Sequence, residues 1–282
     1  MIKKIFVVLG TRPEAIKLAP LIIELNKKPS LTTEVLVLRQ HGMVTDEILM
    51  TFGLTPTYRI GLSFGDRSLG KGVNIFVKLF NLMRAGLGLV TFLWLLMSKK
   101  PDLLIVQGDT STGFLAALIA FHLRISIAHI EAGLRTYDKY RPFPEEMNRH
   151  LISKLADFHF APTETAQKNL LNEGISSESI WMTGNTGIDA LFYVLNRQSG
   201  KNESEQVEKI LVKKYGIPMD GRKIVIVTAH RRENFGKGLE NIFNAVKELA
   251  GANPDILFVV PIHSNPAVQA QIKEILQNGG NI

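Results

Sequence analysis

Short apolar runs recur along the chain at residues 5–9, 34–38, 103–106, Ser126–Ile130, Phe158–Ala161 and 180–183, each long enough for a strand and each bounded by turn or polar residues. Segments of helical length lie between them, among them residues 112–123 and 163–172, the latter stopping at Gly174. Such alternation predicts a parallel sheet with helices on its faces, a doubly wound α/β fold. Residues 198–222 are polar and predict a solvated helix with loops, after which 224–228 and 256–260 supply strands of a second sheet. We therefore expect a domain boundary near residue 186. Residues 1–186 then form one Rossmann-like domain with six strands, and residues 187–282 a second with two.

One segment stands out for its greasiness. Residues 87–97 carry no charge and lie between Arg84 and the pair Lys99-Lys100. A membrane span needs about 20 apolar residues, so the run predicts a helix buried under the sheet, with docking on a membrane surface as the alternative. The aromatic and Met side chains of 76–97 are accordingly expected in the core.

Composition narrows the picture a little. Of 282 residues, 45% are apolar and 21% charged, as in an ordinary globular protein, and that length suits two domains. Lys and Arg outnumber Asp and Glu, 33 to 26. The excess suits an anionic ligand such as a nucleotide diphosphate, yet no basic run with interleaved aromatics suggests nucleic acid. Cysteine is absent, which excludes disulfides and thiolate chemistry and fits a reducing cytoplasm. The first apolar run is short and meets a helix start, so neither a cleavable leader nor a transmembrane span is expected.

Candidate chemistry concentrates where strands end. Glu131 follows Ser126–Ile130 directly, and Pro144 and Glu145 open a helix shortly afterwards. Open α/β sheets place their ligand crevice at strand carboxyl ends, and two carboxylates in unlike surroundings can act as acid and base. A surface Glu plus a helix-start Glu favoured by the dipole is the plain alternative. Asp109, after 103–106 and Gln107-Gly108, is another strand-end carboxylate or else an N-cap. Thr11-Arg12-Pro13-Glu14 has capping-box spacing, and a helix N-terminus flanked by Arg12 and Lys17 can receive an anion; alternatively both cations are merely solvated. The dinucleotide fingerprint G-x-G-x-x-G is absent here, which speaks against ordinary NAD binding. His230 and His263 end the two later strands, as polar strand-end residues or as site residues.

Taken in order, Gly10-Thr11-Arg12-Pro13-Glu14, Gly108-Asp109-Thr110, Glu131-Ala132-Gly133-Leu134-Arg135-Thr136, Pro144-Glu145-Glu146-Met147-Asn148-Arg149, Gly184-Asn185-Thr186 and Thr228-Ala229-His230-Arg231-Arg232-Glu233-Asn234 resemble the UDP-N-acetylglucosamine 2-epimerase family. The resemblance runs from the first residue to the last. It implies a two-domain, glycosyltransferase-B-like fold and interconversion of UDP-N-acetylglucosamine with UDP-N-acetylmannosamine, using neither a nicotinamide nor a metal. It implies elimination of UDP to a 2-acetamidoglucal followed by re-addition, with Asp109, Glu131, Glu145 and His230 as catalytic groups. Arg12, Lys17, Asp109, Glu131, Arg135 and His230 become substrate-binding positions. Gln40, Arg67, Glu145, Arg231 and His263 match the contacts of a second, regulatory substrate molecule, although Gln40-His41-Gly42-Met43 is one residue shorter than the family's pattern.

The family also implies a cytoplasmic homodimer and roughly a hundred further residues. The chain is thus expected to stop within its second domain. Rival readings are the hydrolysing epimerase, which releases UDP and free N-acetylmannosamine, a glycosyltransferase on the same scaffold, and a nucleotide-sugar-binding fragment without turnover. The carboxylate set argues against the transferase, which needs no base at C2.

Overall fold

A computed structural model of the chain describes residues 3–39, 44–61, 75–197, 201–229, 236–262, 266–276 and 280–282. Two compact units result, Met1–Arg197 and Gln198–Ile282. The first contains β1 (Lys4–Leu9), α1 (Arg12–Asn26), β2 (Thr32–Arg39), α2 (Val44–Thr51), β3 (Tyr58–Gly61), α3 (Ile75–Lys99), β4 (Leu103–Gln107), α4 (Ser111–His122) and β5 (Ser126–Ile130). It continues with α5 (Glu145–Leu155), β6 (Phe158–Ala161), α6 (Glu164–Asn172), β7 (Ile180–Met182) and α7 (Thr186–Arg197). The helix after residue 186 packs along α1, which is why the first unit extends to Arg197.

Its seven strands are all parallel, in the order β3-β2-β1-β4-β5-β6-β7. Alternation along each strand divides two cores between the two faces. Ile5, Val7, Leu9, Val35, Val37 and Ile105 point toward α1, α2 and α7, where Leu18, Ile22 and Leu49 meet them. Phe6, Val8, Leu36, Leu38, Leu104 and Val106 point the other way, toward Phe92 and Leu96 of α3 and the alanines of α4. Strands buried on both faces read as continuous apolar runs, which made β1 and β4 visible in the sequence. The strand missed there is β3, four residues long at the sheet edge, of which only Ile60 is buried.

α3 corrects a second expectation. It is a helix beside the sheet, but only one side of it is buried, through Ala85, Phe92, Leu95 and Leu96. Met83, Trp94 and Met97, expected in the core, are exposed. Among the described residues no helix is long and apolar enough to cross a membrane.

The second unit comprises α8 (Lys201–Tyr215), β8 (Lys223–Ile226), α9 (Lys237–Ala252), β9 (Ile256–Val259) and α10 (Pro266–Leu276). Its two described strands pair in parallel. α9 supplies Leu239, Phe243, Val246 and Ala250 to a core completed by Phe258 and Ile272. α8 is solvated along most of its length, as its polar sequence predicts.

Gly133 shows how tightly the segment after β5 is held. Its φ is +88°, and a Cβ there would collide with the backbone carbonyl of Ala166 and stand 3.0 Å from Leu170 Cγ. A left-handed backbone and a backbone clash both oppose a side chain. Gly133→Ala is expected to cost about 2 kcal/mol or more, read as a lowered denaturation midpoint. An unchanged midpoint would show that α6 yields freely.

Candidate active site

The sheet order reverses direction between β1 and β4, so the loops leaving those neighbouring strands diverge and open a crevice at their carboxyl ends. Close approach across it is enforced at Gly10, where a Cβ would lie 2.7 Å from Thr112 Cβ at the start of α4. Thr110 caps α4 through Gly113 N–H. Its hydroxyl also donates to Glu14 Oε1 at 2.7 Å, tying the β4–α4 loop to the first turn of α1.

Glu14 is the hub of that tie. Its Oε2 accepts from Gly10 N–H, Thr11 N–H and the Thr11 hydroxyl, and its side chain is almost wholly buried with no ion-pair partner among the described residues. Burial pushes its carboxyl above the usual range, while the hydrogen bonds from Thr110, Thr11 and Gly10 oppose that rise. The capping motif read from the sequence is therefore real in its Glu-to-backbone half, and it consumes N–H groups expected to be free for an anion. Arg12 is exposed and has no partner among the described residues.

Glu131 sits one residue beyond β5 in the left-handed region, with φ +63°. A non-glycine residue held there carries backbone strain of about 1–2 kcal/mol, and such residues concentrate at functional sites. Lys17 Nζ donates to both carboxylate oxygens, at 2.7 and 2.6 Å. Asn185 Nδ2 reaches Oε1 at 3.1 Å, and Gln107 Nε2 donates to Oε2. Asn185 is fixed in turn because its Oδ1 accepts Gly187 N–H. Residues after β1 and β7 and the last residue of β4 thus converge on the carboxylate that follows β5, which keeps 11% of its side-chain surface exposed.

Asp109 is arranged differently. Arg149 of α5 grips its Oδ2 through both Nε, at 2.9 Å, and Nη2, at 2.6 Å. The remaining Arg149 nitrogen donates to Glu146 Oε2 at 2.9 Å. Asn148 donates to the Asp109 carbonyl at 2.8 Å. Burial works against the charge on Glu146, but the N–H groups of Thr136 and Tyr137 and the Arg149 guanidinium outweigh it and hold its carboxyl below the usual range. Glu145, half-buried at the start of α5, has no side-chain partner among the described residues.

The structure therefore gathers Lys17 with Glu131 and sets Asp109 on the intervening loop. It also supplies residues that sequence reasoning passed over: Gln107, Glu146, Asn148 and Arg149, and makes Asn185, of the Gly184-Asn185-Thr186 motif, a direct partner of Glu131. The run Glu145-Glu146-Met147-Asn148-Arg149 held the signal, since Glu146 and Arg149 are three apart and share a helix face. Arg135 requires a correction. Its side chain is fully buried, with Nε and Nη2 on Glu173 at 2.7 and 2.9 Å and further bonds to Leu134 O and Ser153 Oγ, so it braces α6 rather than facing a ligand. Gln40, Arg67, His230, Arg231 and His263 lie outside the described residues. Among the described residues no cluster of three or more His, Cys, Asp or Glu side chains could hold a metal ion.

A doubly wound α/β protein with paired carboxylates at strand ends beside its sheet crossover is the class that fold and site define. Within that class the chain belongs to the UDP-N-acetylglucosamine 2-epimerase family, whose model matches residues 23–282. It is 40% identical over 280 residues to the UDP-N-acetylglucosamine 2-epimerase of Neisseria meningitidis, covering 99% of this chain and 71% of that one. To the Campylobacter jejuni enzyme of the same name it is 42% identical over 283 residues, covering 100% and 70%. The crystal structure of the Neisseria meningitidis UDP-GlcNAc 2-epimerase bound to UDP-GlcNAc superposes with a TM-score of 0.82 at 39% identity, over 99% of this chain and 71% of that one. The Methanocaldococcus jannaschii enzyme in complex with UDP-GlcNAc and UDP gives 0.70 at 30% identity, over 96% and 68%. These likenesses bear out the glycosyltransferase-B-like fold class expected from the motifs.

His129, inside β5, offers a test of how rigidly the loop bearing Asp109 is held. It is fully buried, and its Nε2–H donates to Gly108 O at 2.8 Å. Burial is the main reason its pKa falls to about 3. Between about pH 6.5 and pH 3 the unfolded chain takes up a proton that the folded chain refuses, so this residue makes stability fall as pH falls through that window. His129→Gln retains a donor for Gly108 O and removes the titration. The stability difference between parent and variant should change by on the order of 1 kcal/mol per pH unit between pH 6 and 4. Parallel profiles would show that His129 is protonated in the folded protein.

Proposed function

We propose that this protein interconverts UDP-N-acetylglucosamine and UDP-N-acetylmannosamine by eliminating UDP across C1–C2 and adding it back with the opposite configuration at C2. The observation that carries this reading is the pair of strand-end carboxylates, Asp109 after β4 and Glu131 after the neighbouring β5, held by unlike partners. The proton at C2 is weakly acidic, and inversion needs one group to remove it and another to return it on the other face. Glu131 serves one face, and Asp109 or Glu145 the other. The elimination forms the C1–C2 double bond as the C2 proton goes to a carboxylate and the C1–O bond electrons leave with UDP.

Arg12 and Lys17 receive the anionic end of the substrate, and His230, carried over from the family pattern, supports the departing diphosphate. Gln40, Arg67, Glu145, Arg231 and His263 are assigned to a second substrate molecule by the same carry-over. The working form in this reading is a cytoplasmic homodimer. Product analysis separates it from the hydrolysing alternative, which gives UDP and free sugar.

Incubation with UDP-N-acetylglucosamine in deuterated water should place deuterium at C2. Glu131→Gln keeps the shape and removes the proton-carrying group, so exchange should drop about a hundred- to ten-thousand-fold. Exchange within a few-fold of the parent would sink the assignment of Glu131. Arg12→Ala should weaken UDP binding in a calorimetric titration while leaving the melting temperature nearly unchanged. Equal affinities would return Arg12 to a solvated-surface role.

A further inference from the structure

The Glu131 carboxylate is hydrogen-bonded to capacity. Its Oε1 accepts from Lys17 Nζ at 2.7 Å and from Asn185 Nδ2 at 3.1 Å. Its Oε2 accepts from Lys17 Nζ at 2.6 Å and from Gln107 Nε2. A carboxylate offers about four acceptor positions, and these donors fill them. A base needs one position open to the bond it breaks, so a donor has to leave before Glu131 can take a proton. The three donors differ in how readily they can go.

Gln107 is the most firmly held. It ends β4, whose other residues are all apolar, and it is only 3% exposed. It pairs in register with Ile130, and Gly108 N–H donates to Ile130 O at 3.0 Å. β4 and β5 are therefore still joined where Gln107 reaches across to Glu131. Burying an amide at that point costs free energy that an apolar side chain would not, and turning it off the carboxylate would leave a buried N–H unpaired. Asn185 is tied at its other end. Its Oδ1 accepts Gly187 N–H at 2.9 Å in the first turn of α7, which leaves the NH2 group to face Glu131. Lys17 differs from both. Its side chain is 29% exposed, and an ammonium on a flexible stem finds water when it turns outward.

We propose that Gln107 and Asn185 are positioning residues for the proton transfer at C2, one amide on each oxygen of Glu131 fixing the direction in which the carboxylate faces. The inference rests on the epimerisation reading above and gives a role to two side chains which that reading leaves without one. Lys17 Nζ is nearly equidistant from the two oxygens and so straddles the carboxylate. When Lys17 turns to the anionic end of the substrate, each oxygen keeps its amide, and the place the ammonium vacates is where the C2–H bond arrives. The proton passes from C2 to a Glu131 oxygen, the C–H electrons become the C1–C2 double bond, and the C1–O electrons leave with UDP. The carboxylate does not reorient during this exchange of partners, because the donors that remain are anchored in β4 and at the start of α7.

Gln107→Met keeps the length of the side chain and removes its N–H. At saturating UDP-N-acetylglucosamine its C2 deuterium exchange should fall about ten- to a hundredfold, with KM within about twofold of the parent, since a base misplaced by about an ångström loses rate rather than binding. Gln107→His carries a ring N–H the same number of bonds from Cα and should recover most of the loss. Asn185→Asp keeps the acceptor that Gly187 N–H requires but turns a carboxylate toward Glu131 in place of a donor. It should lose exchange by a similar factor while melting close to the parent, whereas a residue serving only its turn would lose nothing. Parental exchange in Gln107→Met or in Asn185→Asp, or no better exchange in Gln107→His than in Gln107→Met, would overturn the positioning role and leave the epimerisation reading in place. A parent that takes up no deuterium at C2 would overturn both.

Discussion

The pairing of β1 with β4 decides where everything else in the first unit can go. Strands on one side wind outward through β2 and β3, and those on the other through β5, β6 and β7, so the chain must part at that seam. Parallel pairing needs a helical crossover for every strand, and those crossovers coat both faces. The carboxyl ends of the strands remain open, and the carboxylates Asp109 and Glu131 leave the sheet at that edge. Gly10 matters for the same reason: a side chain there would push Thr112 away and widen the seam that the crevice straddles.

Electrostatics at this edge is organised in two closed groups. Glu131 is neutralised by Lys17 and steadied by two amides, while Asp109 and Glu146 share one arginine. Partly buried charges of this kind persist only when paired and hydrogen-bonded. The two groups differ in the cation that serves them. A guanidinium is planar, always charged and fixed by its fork; an ammonium is a compact point charge on a flexible stem. The lysine can swing toward an arriving anion, whereas the arginine is locked between two carboxylates. The two principal carboxylates are thereby held in unlike surroundings, as acid–base chemistry on two faces of one carbon requires.

Much of this was legible in the residues, and the limits have physical causes. Strands buried on both sides announce themselves as largely apolar runs, so β5 and β6 could be bounded from the sequence despite His129 and His159, and Glu131 could be placed at a strand end. β3 could not, because an edge strand with one buried residue has almost no pattern to show. The apolar run in α3 was legible as a helix but not as an exposed one, since periodicity records which residues are apolar and not what they face. Partnership was the least legible. Arg135 pairs with Glu173 and Arg149 with Asp109, across 38 and 40 residues, and only the folded chain brings them together. Asn185 serves its own turn through Oδ1, and only the folded chain shows its amide reaching Glu131.

The first turn of α1 has a consequence for how the protein can recognise shape. Many α/β proteins hold phosphate in a cup of backbone N–H groups, which grips any tetrahedral anion of the right size. Here the cup is already filled from within: the Glu14 carboxylate occupies the N–H groups of Gly10 and Thr11. An incoming anion at this turn finds those two N–H groups taken and meets the exposed Arg12 side chain. Recognition by a guanidinium is directional, through paired hydrogen bonds in one plane. The turn is thus suited to reading the orientation of an extended, multi-oxygen group, and it would be a poor trap for free inorganic phosphate.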